Sequence, residues 1–125
     1  MSILASVAAG GALGAMGRYL VGHWATTSFG TAFPWGTLIV NVVGSFLIAV
    51  FAFAMIERGD SGPAMRAFAI TGVLGGFTTF SAFSLDALSL FERGETGLAA
   101  AYVLASVLLS VGGCMLGFLI VRAVA

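Results

Sequence analysis

Residues 72–86 read GVLGGFTTFSAFSLD, and they fall in the third of four long apolar segments without resembling lipid-facing sequence. Two adjacent glycines, two threonines, two serines and three phenylalanines stand between hydrophobic flanks. Backbone polar groups and hydroxyls have no water to turn to inside a bilayer. Irregular backbone at that depth is therefore tolerated only where it is buried in protein or lines a wet cavity. The pair Gly75 and Gly76 is expected to loosen the third helix at mid-membrane, freeing carbonyl oxygens at the negative end of the first half-helix.

The rest of the chain sets that stretch in a membrane. Of 125 residues, 60% are hydrophobic and 8% charged, too little charge to solvate a globular surface. A spanning helix needs about 20 apolar residues, and four such stretches fit at roughly 3–24, 36–56, 64–91 and 96–122. The expected fold class is an all-α membrane protein, a single four-helix transmembrane domain over 1–125 whose third helix breaks at mid-membrane. Pro34 and Pro63 stand where helices begin, Trp24 and Trp35 flank the first loop as interfacial anchors, and ERGDSGP (57–63) and ERGET (92–96) read as solvated turns. The apolar start has no basic leader and reads as a retained span.

Charge and cysteine exclude several classes of function. Net charge is zero with no basic run, which argues against nucleic acid and against a polybasic lipid-binding arm. One cysteine, Cys114, gives no intrachain disulfide. No nucleophile–base set or metal-ligand cluster points to an enzyme. Arginines are balanced, with Arg58, Arg66 and Arg122 on one side against Arg93, and Arg18 near a helix end. So weak a bias leaves open both a fixed orientation and insertion in two orientations with antiparallel pairing. Four helices barely enclose a wet path, so a homo-oligomer is expected, most simply a two-fold dimer.

The remaining polar residues fall on helix faces. Thr37, Asn41 and Ser45 recur every four positions in the second segment, and a central amide must bond across helices or face water. Tyr102, Ser106 and Ser110 repeat the spacing in the fourth, as a hydroxyl ladder or a packing seam. Gly10, Gly14 and Gly17 form a small-residue contact face on the first. Phe80 and Phe83 share a face of the third, beside Thr78, Thr79, Ser81 and Ser84. The usual fate of such a Phe pair is core packing, and the company of four hydroxyls, which a dry lipid-facing helix would not choose, weighs against it.

Together GGFTTFSAFSLD, PWGTLIVNVVGSFL and GGALGAMGRY closely resemble the Fluc (CrcB) family of bacterial fluoride channels over essentially the whole chain. The resemblance implies a dual-topology antiparallel homodimer in the bacterial inner (plasma) membrane, with two pores for passive fluoride export. It also implies a structural sodium ion at the dimer centre, held by the backbone carbonyls of Gly75 and Thr78. It assigns pore-lining roles to Asn41, Phe80, Phe83, Tyr102, Ser106 and Ser110, beside which Thr79 and Ser81 are further candidates. Arg18 and Asp86 are expected at a vestibule, Asp86 standing where a glutamate is common. Two rivals are a proton-coupled multidrug exporter, which needs a membrane-embedded carboxylate and finds only Asp86, and a structural subunit with no wet path.

Overall fold

The computed structural model describes residues 2–59 and 61–125; Met1 and Asp60, the latter part of the expected second turn, lie outside them. Helix α1 (Ile3–Phe29) is capped by Ser2, whose hydroxyl accepts from the Ala5 N–H at 3.1 Å, and it closes on Gly30 at φ 81°. It runs five residues past the expected end, so Trp24 lies inside the helix. Its ring meets Phe29 edge to face, and Phe29 in turn packs on Trp35. Helix α2 (Trp35–Arg58) begins directly after Pro34 and closes on Gly59 at φ 68°.

The third span has two helical parts. Helix α3 (63–77) starts with Pro63 in its first turn, winds as a π-helix over Ala67–Leu74 and returns to α geometry over Gly75–Phe77. Helix α4 (Phe80–Glu92) follows, and between them Thr78 and Thr79 are extended, at φ −85°, ψ 159° and φ −154°, ψ 121°. Helix α5 (Thr96–Val124) is the fourth span. The four spans of 24 to 30 residues exceed the roughly 20 that a bilayer core needs.

Glycine sets the helix contacts. A methyl group on Gly10 would strike Phe68 O, and one on Gly72 would lie 2.9 Å from Gly10 Cα, so the backbones of α1 and α3 touch along this seam. α2 packs extensively on α5, where a methyl on Gly117 would stand 2.5 Å from Phe46 O. With no hydrophobic force between helices in lipid, such close backbone approach supplies much of the packing attraction.

The expected unwinding at Gly75 and Gly76 is corrected here. Gly75 is right-handed helical (φ −64°, ψ −38°), and both glycines lie within the α3 helix. Gly76 is instead required for contact, because a methyl there would come within 2.7 Å of Gly11 O.

Candidate functional site

Asn41, nearly two turns inside α2, holds Thr79 of the extended pair in the third span. Its Oδ1 accepts from the Thr79 N–H at 2.7 Å, and its Nδ2 donates to the Thr79 carbonyl at 2.9 Å. In a continuous helix the Thr79 N–H would go to Gly75 O; the amide takes that donor. The Ala82 N–H, whose helical acceptor would be Thr78 O, goes to the Thr79 hydroxyl at 3.1 Å, which caps α4. Gly75 and Thr78 thus lose the usual donors to their carbonyls. Gly76 O, released the same way, accepts from Arg18 Nε at 3.0 Å. Arg18 accordingly docks on the end of the first half-helix, where a cation meets the negative end of its dipole.

A groove of about 390 Å³ opens beside this junction, with Asn41, Thr78, Thr79, Phe80, Phe83, Ser106 and Ser110 all on its wall. Ser45 also lines it. Every lining side chain is uncharged. Phe80 is 79% exposed while Phe83 is 9% exposed, and their rings stand 5.4 Å apart at 56°. The Ser106 and Ser110 hydroxyl oxygens are buried without a hydrogen-bond partner, an arrangement that costs stability unless something else occupies the donor. Ser81 is exposed, at 3.3 Å from the Thr79 hydroxyl.

Tyr102 is placed differently from Ser106 and Ser110. It is fully buried, and its hydroxyl donates to Asp86 Oδ2 at 3.1 Å, so that proton is committed to a carboxylate. Its ring packs against Phe83 at 5.3 Å, tilted by 48°. Asp86 lines a second cavity of about 230 Å³ with Thr37, Thr26 and Thr31 at the loop end of the bundle. Tyr102 therefore joins the two spaces, its ring against the wall of one and its hydroxyl bonded into the wall of the other. Sequence reasoning left two features unnamed: the clasp of Asn41 on the Thr79 backbone, and the presence of Ser45 in the groove. The period-four repeat on α2 held the signal for both.

The chain matches the family model described as CrcB-like protein, Camphor Resistance (CrcB), over residues 5–118. The chain belongs to the CrcB family. CrcB relatives similar to it include proteins of Rhizobium johnstonii, 56% identical over 119 residues and 95% of each chain, and of Agrobacterium fabrum, 54% identical over the same length. A third, from Cereibacter sphaeroides, is 56% identical over 122 residues, covering 98% of this chain and 96% of its own. Each of the three bears the name fluoride-specific ion channel FluC. With four helices long and apolar enough to cross a bilayer, this CrcB chain is a multi-pass membrane protein.

Proposed function

We propose that this chain is a fluoride-selective channel that lets fluoride leave the cytoplasm passively through the inner membrane. The observation that carries the reading is an uncharged groove whose wall combines two serines with buried, unpartnered hydroxyls and a pair of tilted phenyl rings. Fluoride is small and accepts hydrogen bonds strongly, so a selective path replaces its water with close donors. Phenyl edges complete the shell. A formal charge in the groove would hold the anion too tightly for rapid release. The names borne by the CrcB relatives support the same reading.

The working unit in this proposal is an antiparallel homodimer. The groove lies open along one side, with Phe80 largely exposed next to extended backbone. Lipid cannot satisfy those groups, and a second, inverted copy closes them off. At the two-fold axis, the carbonyls of Gly75 and Thr78 from both copies make a neutral hard-oxygen set. The diversion of the Thr79 and Ala82 N–H groups leaves these oxygens free to serve it, and such a set suits sodium better than a transition metal. A sodium ion held by these carbonyls would supply a fixed positive charge.

Transport needs no pump. Fluoride enters cells as its neutral acid from acidic surroundings, ionises and is trapped; an inside-negative potential then drives the anion outward with about 2.3 kcal/mol per 100 mV. Expression in cells stripped of their own fluoride defences tests this reading. Growth in fluoride at acidic pH should be restored, and unchanged sensitivity with the protein present in the membrane counts against it.

A further inference from the structure

Hydroxyls along these spans differ in what they bond to. Those of Ser6, Thr27, Thr78, Ser84 and Ser89 bond to carbonyls one turn earlier, at 2.8 to 3.1 Å, which is how a membrane helix quiets a hydroxyl. Ser106 and Ser110 do not, although each has such a carbonyl in its own helix, and Ser106 is only 5% exposed. Ser45 makes no hydrogen bond among the described residues either, and it lines the same groove from α2.

The position of Ser45 follows from helix register. α2 and α5 run parallel, since a methyl on Gly113 would lie 3.4 Å from Val42 O and one on Gly117 would meet Phe46 O and Ala49. Ser110 is therefore level with the turn before Val42, and Ser45 is level with the turn after it. Beyond Ser110, α5 offers Gly113, Cys114 and Gly117 but no further hydroxyl. Ser45 stands where the fourth span has run out of donors.

We propose that Ser45 is a further anion-binding residue, an α2 hydroxyl that receives a partly dehydrated fluoride after Ser110 and carries the donor path one turn deeper along the groove. This rests on the fluoride-channel reading. A serine hydroxyl suits the task because it donates strongly and rotates freely on a short stem. Thr78, whose methyl abuts Gly44 and whose hydroxyl is committed to Leu74 O, closes that flank without competing for the ion.

The test is efflux from liposomes holding purified protein, read with a fluoride electrode for the unaltered chain, Ser45→Ala and Ser45→Thr. Loss of a donor to a charged ligand should lower flux about tenfold or more, and Ser45→Thr should recover most of it. Equal flux for Ser45→Ala and the unaltered chain overturns the proposal while leaving the channel reading intact; no flux from the unaltered chain overturns the reading itself. Should Ser45→Ala fail to assemble, Ser45→Cys in a Cys114→Ala background gives the second measurement. A silver ion, displacing the thiol proton to water as the silver thiolate forms, should block flux in that variant and spare Cys114→Ala alone. Persistence of flux under silver would place Ser45 off the path.

Discussion

The side-chain amide of Asn41 spans both polar groups of the Thr79 backbone, accepting from its N–H at 2.7 Å and donating to its carbonyl at 2.9 Å. A residue 38 positions away thereby does for Thr79 what the helix ladder does for its neighbours. Sequence reasoning weighed this amide between interhelical bond and pore donor, and the structure gives it the first part. One N–H of Nδ2 remains for the groove that Asn41 also lines.

Asn41→Ala should therefore be costly twice. The Thr79 N–H loses its partner, a penalty of about 1–3 kcal/mol for a buried donor, and the groove loses a polar wall. We expect a lower melting temperature in detergent together with reduced fluoride flux. Asn41→Asp keeps the acceptor and loses the donor, so it should melt between the two while conducting poorly because of its charge.

The two adjacent glycines of the opening stretch should behave unlike each other. Gly76→Ala drives a methyl towards Gly11 O and should destabilise by about 1–3 kcal/mol, as overpacking does. At Gly75 a methyl meets nothing nearer than Ile70 O at 3.5 Å, an ordinary contact, so Gly75→Ala should leave protomer helicity intact. Circular dichroism and thermal melts of both variants check the contrast.

That contrast also explains where the sequence was legible. Four spans followed from the length of their apolar runs; of the period-four polar faces of α2 and α5, Asn41, Ser45, Ser106 and Ser110 meet at one groove, whereas Thr37 lines the second cavity and Tyr102 bonds to Asp86. The extended pair falls three residues beyond the glycine pair, because Gly76 serves contact with α1 and Thr79 is the true stop. A threonine three residues before Ala82, poised to cap α4, was the local clue. The π winding of Ala67–Leu74 and the bond from Tyr102 to Asp86 depend on tertiary neighbours and leave no such trace in spacing alone.

Phe80 and Phe83 differ in what they support. Phe80 is largely exposed in the protomer, so Phe80→Ile should leave the melting temperature almost unchanged while lowering flux, because isoleucine fills space without an electropositive edge. Phe83 packs on Tyr102 in the buried core, and Phe83→Ile should lower both. Normal conduction in both variants would reduce the pair to packing.

Arg18 should prove to be more than a surface charge. Its Nε bond to Gly76 O caps the first half-helix, and Arg18→Gln removes a charged donor worth about 1.5–3 kcal/mol. The expected result is a thermal destabilisation that added salt does not reproduce, since screening weakens exposed charges far more than a partly buried bond.

In the proposed channel the groove conducts fluoride and discriminates by hydrogen-bond strength. Purified protein in liposomes, loaded with equal fluoride and chloride and given an imposed potential, tests this directly when the efflux of each ion is read with its own electrode. Rapid fluoride efflux is expected, with no chloride efflux above protein-free vesicles; equal rates for the two ions, or none for either, would rule out a fluoride-selective pore.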